Sequence, residues 1–168
     1  AAFDASTSTT TLSWVNYNDI FQVLPESGPN AYQTIIYETD VPMTRENSPT
    51  LTTQTSPIAQ LPSGISSHEV TIPANTDREV YYSATYILPN FVNQGEDYED
   101  IRFLSNNALT EPVKEDNMPP PPVTDVSATF NPTIDTGGGI TRVTWTDVAL
   151  EQGEKYAIYI SGQAFDST

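Results

Sequence analysis

The chain has 168 residues, with 22 acidic against 6 basic side chains for a formal charge of −16, no cysteine, one histidine, 14 prolines and 8 glycines. That excess of carboxylates repels nucleic-acid phosphates and anionic lipid, and the lack of cysteine excludes a disulfide scaffold, a thiolate zinc site and a thiol nucleophile. No run approaches the ~20 apolar residues of a membrane helix, while 37% hydrophobic and 10% aromatic content is enough for a packed core.

Threonine and serine supply 23 and 14 residues, and proline punctuates nearly every window in which a helix would run. Both features favour an all-β chain. The start at Ala1-Ala2-Phe3, without initiator Met or signal peptide, reads as a mature or excised product. In chain order, Thr10 to Asn16 alternates with Leu12 and Trp14 on one face, and Ala31 to Thr39 forms an Ile- and Tyr-rich second strand. Ser67 to Pro73 alternates through Val70 and Ile72. Glu79 to Leu88 is the longest strand, with Val80, Tyr82, Ala84 and Tyr86 on one side. Asp100 to Leu104 is a fifth strand, continuing toward Ala108 to Val113. Turn clusters at Pro25 to Asn30 and Leu61 to Gly64 separate them, as in a sandwich or barrel.

Met118 and the four prolines that follow it mark a boundary, because proline lacks the N–H that a central strand needs and favours an extended spacer. After them the grammar restarts. Val126 to Phe130 resembles Ala1 to Ala5, Ile140 to Trp145 resembles Thr10 to Trp14, and Tyr156 to Ile160 resembles Tyr32 to Tyr37. The division expected is 1–117, a linker 118–123, and a second module 124–168.

An opening strand after a proline run, a strand ending in Trp and a Tyr-rich strand together resemble the fibronectin type III sandwich. So does the run from Pro73 to Ala84, a Pro-x-x-Thr turn leading into a Tyr-bearing strand. The resemblance implies a fibronectin type III-like, immunoglobulin-like β-sandwich, with Trp14 and Trp145 in the cores. It implies that Tyr81 or Tyr82 acts near a tyrosine corner, its phenol hydrogen-bonded back to the backbone. Such a sandwich needs about 7 strands and roughly 100 residues. The first module has that length. The second has three strands and is an incomplete sandwich, a fragment of a longer tandem, a half packed on the first, or one completed by a neighbouring chain.

The acidic run Glu96, Asp97, Glu99 and Asp100 offers oxygen ligands to calcium, and Glu115-Asp116-Asn117 offers the same at the module junction. Neither has EF-hand spacing, and the plainer reading is a solvated, charged loop. Acidic residues outnumber basic ones 16 to 4 before residue 119 and 6 to 2 after it, a uniform acidity that suits a saline setting. His68, the one histidine, sits in Ser66-Ser67-His68-Glu69 next to a strand; a Ser-His-Asp site needs nucleophile, base and orienter brought together, and the plainer reading is an ordinary strand residue. The pairs Asp97/Glu99 and Glu151/Glu154 could do acid–base work only in a pocket that moves their pKa values apart, and loops rich in Asp and Gly imply water instead. Gly137-Gly138-Gly139 lacks the Lys-Ser/Thr of a phosphate loop and reads as a turn. Tyr81 and Tyr98 suit a carbohydrate-stacking platform, and no Asn-x-Ser/Thr acceptor is present.

The expectation is a non-enzymatic extracellular or cell-surface protein, a structural or adhesion module acting as spacer or scaffold. It binds neighbouring modules or copies of itself, with no nucleic acid, no membrane insertion and no cofactor beyond calcium. The alternatives are a self-assembling filament subunit and an accessory module of a secreted carbohydrate-active enzyme.

Overall fold

The structure, a computed structural model, describes residues 1–20, 24–92, 96–133, 137–147 and 155–163. It is mostly β, with several antiparallel sheets, and divides into two compact units, Ala1–Met118 and Pro119–Thr168.

The first unit is a two-sheet sandwich. One sheet has the order β1-β2-β5, from Ala2–Asp4, Thr9–Ser13 and Ser67–Thr71. The other has the order β4-β3-β6-β7, from Ala59–Pro62, Gln33–Thr39, Asp77–Val92 and Glu96–Asp100, and β8 (Val113–Asp116) pairs with the start of β6. Every ladder is antiparallel. Leu12 of β2 and Val70 of β5 meet Ile36 of β3 and Val80, Tyr82 and Ala84 of β6 across the interior. This is the alternation that the sequence shows, because a period of two places every second residue on the inner face.

The outer face of the larger sheet is covered as well. Ile35 and Tyr37 pack under Met43, under Leu104 of the short helix α3 (Leu104–Asn107) and under Leu51 of α2 (Ser48–Gln54). β3 is therefore buried on both sides, and its near-continuous run of Ile, Tyr and Thr reflects that. At one end of the sandwich Tyr17 of α1 (Tyr17–Ile20), Tyr32, Tyr86 and Phe103 form an aromatic cluster with ring centroids 4.8 to 5.8 Å apart.

Two expectations for this unit are corrected. Asp100 to Leu104 is not a strand. Asp100 ends β7, its carboxylate accepts the Arg102 backbone N–H at 3.0 Å, and that local bond turns the chain into α3, with Phe103 and Leu104 buried. Between Ala108 and β8 only one isolated bridge, Ser83 to Ala108, joins the sheet. Trp14 is half-buried, wedged between the central and aromatic clusters rather than enclosed by either.

The second unit is a hairpin of β9 (Thr124–Thr133) and β10 (Gly138–Thr146). The Phe130 ring lies across Gly139, where a Cβ would fall 2.2 Å from the ring and 2.8 Å from the Asn131 carbonyl oxygen, so a side chain there would displace both. The expected third strand, Tyr156 to Ile160, has no ladder partner among the described residues. Trp145 is half-buried and meets the Tyr156 ring at 5.2 Å, which is partial cover rather than a core.

Candidate functional site

Strand geometry separates the calcium candidates. In β7, Asp100 stands opposite Tyr86 and Glu99 opposite Ile87, so the two carboxylates leave the sheet on opposite faces. Asp97 lies on the Glu99 side and accepts from the Asn90 N–H at 3.3 Å, Glu99 accepts from Thr85 at 2.6 Å, and the Glu96 side chain lies outside the described residues. Asp100 is fully buried and paired with Arg102 at 2.5 Å. Burial is the largest single influence on its pKa and raises it. The hydrogen bonds and charge of Arg102, with the Tyr17 phenol, outweigh burial and hold the carboxyl below the usual range.

The junction triplet is likewise occupied. Asp116 accepts the Met118 N–H at 3.1 Å, and Asn117 ties three segments together by accepting from Thr76 N–H and donating to Ser8 and the Pro73 carbonyl. Among the described residues no group of three or more Asp, Glu or His is placed to hold a metal ion. Glu151 and Glu154 lie outside the described residues.

Glu115 anchors a polar cluster that sequence reading missed. It is fully buried and accepts hydrogen bonds from Thr10 at 2.5 Å, from the Tyr82 phenol at 2.7 Å and from Arg78 Nε at 2.8 Å. Arg78 in turn reaches Glu38 with both terminal nitrogens at 2.7 and 2.9 Å. The cluster joins β2 of one sheet to β3, β6 and β8 of the other. The missed signal was periodicity: Arg78 sits two residues before Val80 and four before Tyr82, and therefore on the same inward face. Burial, then the hydrogen bond and charge of Glu115, push the Tyr82 phenol well above the ordinary tyrosine value. The corner role implied for Tyr81 or Tyr82 is therefore corrected. Tyr82 bonds carboxylates, whereas the phenols that reach the backbone are Tyr86, donating to the Val15 carbonyl, and Tyr32, accepting from Gly64 N–H.

His68 pairs with Leu12 in the register and is half-buried on the inner face beside it, with no nucleophile–base–orienter set around it among the hydrogen bonds described. Tyr81 and Tyr98 do not share a platform. Tyr81 stands opposite Thr39 and Tyr98 opposite Leu88, which places them on different faces of the sheet. A crevice of about 60 Å³ opens beside the middle of β6, lined by Leu12, Trp14, Ile36, Ala84 and Leu109. Trp14 Nε1 is buried there without a hydrogen-bond partner.

The chemistry available in the first unit is therefore that of a self-satisfied sandwich, in which each buried charge is consumed by a neighbour. Among the described residues no helix is long and apolar enough to cross a membrane. No protein-family model, curated protein or solved structure matches the chain.

Proposed function

We propose that this chain is part of a non-enzymatic extracellular or cell-surface protein built from fibronectin type III-like modules, acting as a spacer or binding scaffold. The observation that carries the reading is the fate of the buried charges. The two buried carboxylates, Glu115 and Asp100, are spent on Thr10, Arg78, Tyr82 and Arg102 and join strands and turns of the first unit. The module reading is supported by strand distribution. First, second and fifth strands form one sheet, and third, sixth and seventh belong to the other, as in immunoglobulin-like sandwiches, although β4 here pairs with β3. The spacer reading is supported by Pro119 to Pro122, a run that favours a stiff extended segment between units.

The chain has no native cysteine, so Ser27→Cys with Ser161→Cys gives one label site in each unit. Single-molecule energy transfer is expected to show a narrow distance distribution that broadens when Pro119 to Pro122 are replaced by glycine and serine. A width unaffected by that replacement overturns the spacer reading. The filament alternative is favoured by the uncovered apolar residues of the second unit. A secreted-enzyme accessory role rests on the carbohydrate expectation alone and is tested by retardation on a polysaccharide affinity gel.

A further inference from the structure

The basic side chains of the first unit are not used alike. Arg78 pairs with Glu38 and Glu115, Arg102 with Asp100, and Lys114 with Asp77. Arg45 is exposed and pairs with no carboxylate among the described residues, although acidic side chains outnumber basic ones 16 to 4 in this unit. The neighbouring Glu46 carboxylate accepts instead from the Thr44 hydroxyl and from its own N–H. Arg45 is held from the other side. It lies in the turn before α2, and its Nη2 donates to the Arg102 carbonyl, just ahead of α3, at 3.1 Å. The guanidinium is thereby fixed at the edge of a hollow of about 260 Å³ between these two segments. Buried Met43 and Leu104 and half-buried Leu109 supply its apolar lining, and exposed Ser105 and Thr110 its polar rim.

We propose that this hollow binds a small organic acid, its apolar body against Met43, Leu104 and Leu109 and its carboxylate on the remaining N–H groups of Arg45. Charge complementarity selects the carboxylate. A guanidinium is a planar fork that meets a carboxylate at two points, and the bond to the Arg102 carbonyl holds this one in place before a ligand arrives. The lining selects an apolar body, because a bare inorganic anion would leave Leu104 and Leu109 uncovered. Size selects a small one: the hollow lies just under the ~300–1,000 Å³ of sites for drug-sized ligands. The charge of −16 opposes a polyanion. A monoanion meets Glu46 beside Arg45 and Glu111 beside Thr110, while more distant carboxylates are screened beyond about 8 Å at physiological salt.

The test is a two-dimensional NMR titration of the whole chain with isocaproate, an acid on the leucine skeleton, and with isocaproamide, its uncharged counterpart. Isocaproate is expected to give saturable shifts at the backbone amides of Arg45, Ser105 and Thr110, with a dissociation constant on the order of 1 mM. The amide is expected to bind about tenfold more weakly or less. Arg45→Gln, which keeps a donor for the Arg102 carbonyl and loses the charge, is expected to weaken isocaproate by the same factor. Ser105→Phe, which fills the rim, is expected to remove binding. The unfolding midpoint of the first unit serves as the folding control in both variants. Equal binding of acid and amide overturns the proposal on the parent chain, whatever the variants do. So does undiminished binding by Arg45→Gln, and so do shifts that stay linear with concentration or centre elsewhere. The spacer reading is decided by the distance distribution and stands or falls separately.

Discussion

Asn107 takes the place of a neighbouring strand for Val15: the Val15 N–H donates to Asn107 Oδ1 at 3.1 Å, and Asn107 Nδ2 donates to the Val15 carbonyl at 3.0 Å. The same amide nitrogen donates to the Tyr86 phenol at 3.1 Å, so one buried side chain closes the end of β2 against β6. Asn107→Ala leaves the Val15 N–H without its partner, while the Val15 carbonyl keeps the Tyr86 phenol as its donor. It is expected to lower stability by about 1–3 kcal/mol in urea unfolding. A loss near zero would show that water replaces the amide at no cost.

Glu115 is the second test of the sandwich. Glu115→Ala strips the carboxylate from Arg78, Tyr82 and Thr10 in a fully buried position, and about 3–5 kcal/mol of destabilisation is expected. Glu38→Ala, whose carboxylate is partly exposed and leaves Arg78 still paired with Glu115, is expected to cost less. Chemical denaturation of the two variants side by side checks the order.

Acid lability follows from Asp100. Its folded-state acidity is stronger than that of the unfolded chain, so its contribution is present above about pH 4 and disappears as pH falls through the lower folded value. Asp100→Asn is expected to flatten the loss of stability below about pH 4 relative to the parent. Midpoints measured from about pH 2 to 5 decide it, and parallel curves would assign acid lability to other carboxyls.

At high pH the sign reverses. Burial pushes the phenols of Tyr37, Tyr82 and Tyr86 well above the usual value, with Glu99 adding to the effect at Tyr37 and Glu115 at Tyr82. The stability linked to them is complete below about pH 10 and is lost as pH rises past that unfolded value. Phenolate absorbance is therefore expected to appear together with loss of near-ultraviolet dichroism for these rings. Smooth ionisation of every tyrosine in the folded chain would contradict the burial.

The two tryptophans are expected to differ. Trp14→Ala removes a ring that bridges two clusters of the first unit and is expected to cost about 3 kcal/mol. Trp145→Ala touches only a half-covered hairpin and leaves the first unit's calorimetric transition in place. A cost under about 1 kcal/mol for Trp14 would place it outside the packed interior.

Much of the sandwich could be read from alternation. β2, β5 and β6 are strands whose inward residues recur at every second position, β3 declares itself by its Ile- and Tyr-rich run, and the register pairs them accordingly. What could not be read is instructive. The Asp100 to Leu104 run looks like a strand by apolar content, yet Asp100 spends its side chain on the Arg102 N–H and redirects the chain. β4 is short and ends in Leu61-Pro62, which reads as a turn, and β8 is short and mostly charged, so neither declares itself without the partner strand beside it. Composition alone makes the acidic run a ligand-rich loop, because it ignores pleat. As a strand, it sends Glu99 and Asp100 to opposite faces. The inward Arg78–Glu115 pair was hidden because each member is an ordinary surface residue type until pairing brings them within reach.

β8 is the last strand before the proline run, and Glu115 within it is bonded to both sheets through Thr10 and Arg78. Tension drawn along the chain from the proline run reaches Asn117, bonded to Thr76, Ser8 and Pro73, and then this strand. The ladder from Val80 to Asp77 and the buried carboxylate beneath it then bear the load together, so the unit's resistance to being pulled open is set between Val113 and Asn117.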